Sequence, residues 1–351
     1  MNKELKILAA ALIASSVCIS ACAGAKKETE TATSETSSVI TTPTETAESS
    51  QTEATTASVP DGDTQNTEAG SSDPANTVTA EFTANVGPSY PMRYENNAVY
   101  CHDPATGEKK TGYIRINGIV YFFDPAMDGQ LSDISVNDFF SRAVFIGNST
   151  SEGLTTYFGS KGKDYLGGPL VAAKVSYTFN SDKSKLNGYM LKYNNEQLQA
   201  KELVKRAGAK RALIMMGTND LMGAEASAVS EKYKSYIEGI RQENPGVAIY
   251  IQSTIPRRGT KNAETLSNDK INELNRLMME YANTQNDVFY IDISTPLMDG
   301  EGNLKQSYSS DGYVHLNIEG YSVWVNRVVD YVRAMYLEKA VDDAKASSQA
   351  S

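Results

Sequence analysis

The sequence predicts a three-layer α/β/α domain built on a five-stranded parallel sheet and preceded by a small β-hairpin unit. Three observations carry this expectation. From about residue 140 onward, short apolar runs of strand length alternate with longer segments of helical periodicity. Polar clusters, Gly-Asn-Ser-Thr at 147–150 and Gly-Thr-Asn-Asp at 217–220, come straight after two of those apolar runs. Upstream, aromatic alternation broken by Asn-Gly and Asp-Pro-Ala turns marks antiparallel hairpins.

In chain order, Lys3 and Lys6 precede an apolar stretch from Ile7 to Ile19, which reads as a targeting segment and not as fold. The stretch is shorter than the about 20 residues of a membrane span. Ile19-Ser20-Ala21-Cys22 resembles a bacterial lipobox. That resemblance implies a signal peptide over 1–21, lipidation of Cys22 and a lipid-anchored protein on the extracellular face of a bacterial membrane, which the hairpin repeats downstream suggest is Gram-positive. Ordinary secretion with cleavage near Ala23 is the alternative.

Residues 22–88 read as a disordered Thr/Ser/Glu-rich tether. Positions 28–81 hold 11 Asp or Glu, no Lys or Arg, and no Phe, Tyr or Trp. Such a segment cannot bury enough apolar surface to offset its ordering entropy. Setting its −11 aside from the chain's −10 leaves about +1 for the rest, so the acidic balance describes the tether. No basic surface remains to support a nucleic-acid partner. Cys18 leaves with the signal and Cys22 takes the lipid, so Cys101 stands alone and no intramolecular disulfide is expected. Two histidines and one thiol without ligand spacing predict no metal, and nothing calls for a cofactor.

Residues 89–132 form the hairpin unit. Val99-Tyr100-Cys101-His102-Asp103-Pro104-Ala105 recurs as Val120-Tyr121-Phe122-Phe123-Asp124-Pro125-Ala126, with glycine turns at Gly107 and Gly129 and Asn117-Gly118 between the copies. The pattern resembles the aromatic hairpin repeats of choline- or glucan-binding modules, which implies cell-wall glycan binding. Those modules stack several copies, and two are found here, so a hairpin spacer packed on the next domain is the other reading. His102 is expected on the hairpin surface.

The main domain is expected over 135–338, with 339–351 as a flexible tail. Strands are expected at 143–146, 170–175, 211–216, 247–252 and 288–293. Helices are expected to open at 151–158 and to run over 196–207, 224–244, 268–283 and 318–337. In such open sheets, ligands sit at the carboxyl ends of the strands. Ser149, Asn219 and the pair Asp311…His315 all fall there. Together they supply a nucleophile, an oxyanion donor, a base and its orienter. Each has a plainer reading: Ser149 as a helix cap, Asn219 as a turn residue, His315 as a structural histidine. Asp220 reads as a helix-start cap.

Gly147-Asn148-Ser149, Gly217-Thr218-Asn219-Asp220 and Asp311…His315, in this order over about residues 140–335, resemble the three blocks of the SGNH (GDSL-like) family of serine esterases and lipases. The resemblance implies a flavodoxin-like fold, Ser149 as nucleophile, His315 as base with Asp311 as orienter, and Asn219 as oxyanion donor. Two departures stand out. Asn148 replaces the usual aspartate, and three residues separate Asp311 from His315 where the family has two. The second would be met by a bulged turn or by another orienter such as a backbone carbonyl. The family also implies a backbone oxyanion donor after the second strand. Ser176 occupies that position, with Gly167-Gly168 as the alternative. The expected function is a surface-anchored serine esterase acting on O-acetyl groups of polysaccharide or cell-wall glycan, or on another small ester. The competing readings are a non-catalytic glycan-binding lipoprotein with a degenerate domain of this type, and a structural surface protein.

Overall fold

The computed structural model describes residues 92–116, 119–259 and 263–349. The targeting segment, Cys22 and the tether lie outside them, as does the Asn117-Gly118 turn.

Strands β7 (Ala143–Gly147), β8 (Leu170–Ala173), β11 (Arg211–Met215), β12 (Ala248–Gln252) and β13 (Val288–Ile291) form a five-stranded sheet in the order β13-β12-β11-β7-β8. Every pairing in it is parallel. These strands read as continuous apolar runs because helices cover both faces. Alternate residues serve opposite cores. Phe145, Leu213, Met215 and Tyr250 pack with helices α2 (Ser149–Lys161) and α8 (Ile318–Gln349). Val144, Ile146, Ala212, Ile214, Ile249 and Ile251 pack with α4 (Ala200–Arg206), α6 (Ala226–Glu243) and α7 (Asn268–Thr284). Three short helices also lie among the described residues: α1 (Asn137–Phe140), α3 (Phe179–Lys183) and α5 (Thr218–Leu221).

The hairpin unit is an antiparallel sheet of β1 (Met92–Glu95), β2 (Ala98–His102), β3 (Lys109–Lys110), β4 (Gly112–Ile116), β5 (Ile119–Asp124) and β6 (Gln130–Ser135), ordered β1-β2-β6-β5-β4 with β3 on β2. The internal repeat is structural. Asp103 and Asp124 each accept the backbone N–H two residues on, at 2.8 Å, and so fold the same turn after β2 and β5. One face, carrying Val99, Cys101, Tyr121 and Phe123, joins the core of α8. Burial pushes the Cys101 thiol up to about 11, so it is a packed apolar group.

Several expectations need correction. The tail expected from residue 339 is helical to Gln349, because Ala340 and Ala344 are buried and Tyr94 N–H donates to Ser348 Oγ at 3.3 Å. His102 is buried, 5% exposed, with Nε2 3.8 Å from Glu95. The helix expected over 196–207 starts at Ala200, because Glu196–Leu198 is β10, paired with β9 (Leu191–Tyr193). Asn194 and Asn195 between them both have positive φ, as a tight two-residue hairpin requires.

Candidate active site

Sheet register assembles the site. Gly147 pairs with Ala173 on one side and Met215 on the other, so three strands end at one level. Ser149, Ser176 and Asn219 each follow one of those ends within four residues. The backbone must pass closely at Gly147. A Cβ there would lie 2.0 Å from Ser151 Oγ and 2.7 Å from the Met215 carbonyl oxygen. Gly147→Ala is therefore expected to destabilise by about 3 kcal/mol, because a backbone carbonyl in the adjoining strand cannot swing away. Thermal unfolding checks this, with a loss of roughly 6–12 °C expected.

Asn148 caps α2. Its Oδ1 accepts from Thr150 N–H at 3.1 Å, and the residue is buried. A neutral carboxamide performs this job as an aspartate would, since only one acceptor is used. Ser149 is thereby relieved of capping and stands half-buried as the first helical residue.

His315 arrives on the loop that leads to α8. Its Nε2 is 3.0 Å from Ser149 Oγ, and its Nδ1 is 2.6 Å from Asp311 Oδ2. The extra residue between Asp311 and His315 is taken up by a turn with Gly312 at φ 68°. Asp311 Oδ1 accepts the backbone N–H of Tyr313 at 2.8 Å and of His315 at 3.2 Å, so the carboxylate shapes the turn that carries its partner. Burial works to raise the Asp311 pKa. The donors from the His315 ring and the two backbone amides outweigh it and hold the carboxyl below its ordinary value. An ionised Asp311 can only accept, so Nδ1 carries the imidazole proton and Nε2 is free to accept from the Ser149 hydroxyl.

Neighbouring elements brace this loop. Arg258 N–H donates to the Tyr313 carbonyl at 2.8 Å, and Tyr321 OH donates to the Thr150 carbonyl at 2.8 Å, tying α8 to α2. Trp324 Nε1 donates to Gln252 Oε1 at 2.6 Å below. Sequence reasoning missed these braces, because each joins residues more than fifty positions apart.

On the other side of Ser149, Ser176 has φ 60°, the left-handed conformation for which a glycine is the usual choice. The backbone turn there closes through Tyr177 N–H to the Lys174 carbonyl at 3.1 Å. Gly167 and Gly168 precede β8 at the far end of the sheet, so the alternative donor position is excluded. Asn219 Nδ2 donates to the Tyr177 carbonyl at 3.1 Å, and the second N–H of that amide has no partner among the described residues. Asp220 is no helix-start cap. Gly217 holds that position, with φ 113° and Leu274 packed where a Cβ would be. The Asp220 carboxyl is buried and accepts Phe179 N–H at 3.2 Å. Met215 and Met216 are core residues, and Met222 is exposed.

A multidomain esterase of Ruminococcus flavefaciens is 26% identical over 156 residues, 43% of this chain, and the chain covers 19% of that protein's length. A GDSL-like lipase from Bacteroides thetaiotaomicron has 19% identity and a TM-score of 0.43, covering 57% of this chain and 90% of its own. A carbohydrate esterase family 3 protein from Talaromyces cellulolyticus has 16% identity and a TM-score of 0.39, covering 57% and 98%. A profile of the GDSL-like Lipase/Acylhydrolase family matches residues 145–323, just over half of the 351 residues and the whole span from β7 to the His315 loop, and the chain belongs to that family.

Proposed function

We propose that this protein is a serine ester hydrolase working through an acyl-enzyme on Ser149. The observation that carries the reading is the continuous relay from Ser149 Oγ to His315 Nε2 at 3.0 Å and from His315 Nδ1 to Asp311 at 2.6 Å. In this mechanism His315 takes the hydroxyl proton as Ser149 Oγ attacks the ester carbonyl carbon. The oxyanion that forms is met by the Ser176 N–H and the free N–H of Asn219. Collapse expels the alcohol, which takes the proton from His315. Water, deprotonated by the same imidazole, then releases the carboxylic acid and restores Ser149.

The substrate reading is an O-acetyl group on polysaccharide or wall glycan, reached from a surface anchor through a lipid on Cys22. A tether rich in Thr, Ser and Glu, 11 carboxylates and no cation over 28–81, supports a site held away from its anchor. Tyr113 is 43% exposed and lies on Phe122 with centroids 4.7 Å apart, an aromatic pair suited to the apolar face of a sugar ring.

Full-length protein is expected to hydrolyse p-nitrophenyl acetate, to be labelled by a fluorophosphonate at Ser149, and to release acetate from acetylated xylan or O-acetylated peptidoglycan. Folded protein that neither turns over nor labels would sink the hydrolase reading and favour a non-catalytic glycan-binding protein. Turnover of the nitrophenyl ester without acetate release from either polymer would sink only the glycan substrate.

A further inference from the structure

Two adjacent residues of α5 hold one short segment of backbone. Asn219 Nδ2 donates to the carbonyl of Tyr177 at 3.1 Å, and Asp220 Oδ1 accepts the N–H of Phe179 at 3.2 Å. The segment begins with Ser176, at φ 60°, whose N–H the proposed mechanism uses as the second oxyanion donor. Its other side is anchored independently. Tyr177 OH donates to Asp182 Oδ1 at 2.6 Å, and its oxygen is 3.2 Å from the Tyr236 hydroxyl. Asp182 also accepts Ala200 N–H at 2.8 Å. Phe179 packs on Tyr233 and Tyr236 with ring centroids 4.8 and 5.2 Å away. These contacts secure the segment to α3, α4 and α6. The bonds to Asn219 and Asp220 are what register it against α5.

We propose that Asp220 is a positioning residue: by holding Phe179 N–H it locks the 176–179 segment to α5, so that the Ser176 amide and the Asn219 side chain act as one rigid oxyanion site. The proposal rests on the hydrolase reading. Asp220 itself is buried, 8% exposed. Its Oδ2 is buried with no hydrogen-bond partner among the described residues. Burial raises the carboxyl to about 6, with the Phe179 N–H and then Lys232 pulling the other way. A carboxyl that uses one oxygen and buries the other unmatched is a poor choice for stability alone. What it supplies is a short, rigid acceptor at the one point where the Phe179 amide must be held. Asn219 depends on the same register. Were the segment to drift from α5, the Tyr177 carbonyl would move with it, and the Asn219 amide would lose the bond that orients its second N–H.

The test uses full-length protein and p-nitrophenyl acetate. Asp220→Ala is expected to lower kcat by about 10- to 100-fold with KM within about twofold, as misplacing a donor by an ångström does. Asp220→Asn keeps an acceptor in the same place and is expected to stay within about threefold of wild type. Amide exchange at Phe179 is expected to quicken in the alanine variant and not in the asparagine one. If the alanine variant does not fold, Asp220→Leu keeps the branched side chain without an acceptor and is expected to show the same loss of kcat. An alanine or leucine variant with unchanged kcat, or an asparagine variant as impaired as alanine, overturns the proposal and leaves the hydrolase standing. Wild-type protein inert to both ester and fluorophosphonate overturns the hydrolase reading instead. In that case Phe179 exchange alone reports whether Asp220 holds the segment.

Discussion

Alanine in place of Ser149 is expected to lower kcat for ester hydrolysis on the order of 10⁴-fold or more, with an unchanged melting temperature. The two halves of that expectation have separate causes. Ser149 Oγ has the His315 imidazole as its partner at 3.0 Å, so removing the oxygen removes the bond-forming atom and leaves the base aimed at nothing. Stability is spared because the helix cap is Asn148, whose Oδ1 takes Thr150 N–H, and alanine is well tolerated at the first helical position. His315→Ala is expected to fall as far, and the double variant no further, since serine and imidazole act as a unit. Steady-state kinetics beside thermal melts decides the matter. Turnover surviving in the Ser149 variant would mean that another group performs the attack, and in the His315 variant that another group takes the proton.

Asp311→Asn is expected to cost up to about 10⁴-fold in kcat, although it changes one atom. The reason lies in how the loop uses the two carboxylate oxygens. Oδ1 is committed to the backbone N–H groups of Tyr313 and His315. An asparagine must therefore keep its oxygen there and turn its NH₂ toward His315 Nδ1. A donor at that position forces Nδ1 to accept, which moves the imidazole proton to Nε2. That nitrogen can no longer take the Ser149 proton. The imidazole ¹⁵N shifts would report the tautomer directly, and kcat should follow. An asparagine variant with full activity would show that the Asp311 carboxylate does not set the tautomer.

The sheet was legible because β7, β11 and β12 are nearly unbroken apolar runs, and a strand covered on both faces has no other pattern to show. His315 was legible as the single histidine of the main domain, and Ser149 and Asn219 for a reason related to the strands. Polar residues straight after such runs have no place in the core, so they fall at the sheet edge. What escaped had no local signature. The Glu196–Leu198 strand has a composition suited to helices, and only the Asn194-Asn195 turn before it betrays a hairpin. The end of α8 hid behind Glu338, Asp342 and Asp343, which look like solvent-facing residues, while the residues that pack are the small Ala340 and Ala344. Asp220 meets a partner 41 positions away, and no spacing rule reaches that far. The Asp311–His315 spacing stayed ambiguous until the turn at Gly312 was visible, because whether a carboxylate can both build a turn and face its histidine is a question of geometry.

The unbroken α8 has a consequence for the order in which the chain can close. It begins three residues after His315 and ends beside Tyr94, a partner 254 positions distant in sequence at Ser348. The hairpin sheet is therefore synthesised well before the helix that covers Val99, Tyr121 and Phe123. Until the final turns of α8 exist, that aromatic face is wet, and so long a loop closure is slow. Docking of the sheet thus waits for the last turns of α8: a molecule truncated before Ala340 keeps every residue of the Ser149 site but carries an open apolar face, prone to association with its neighbours.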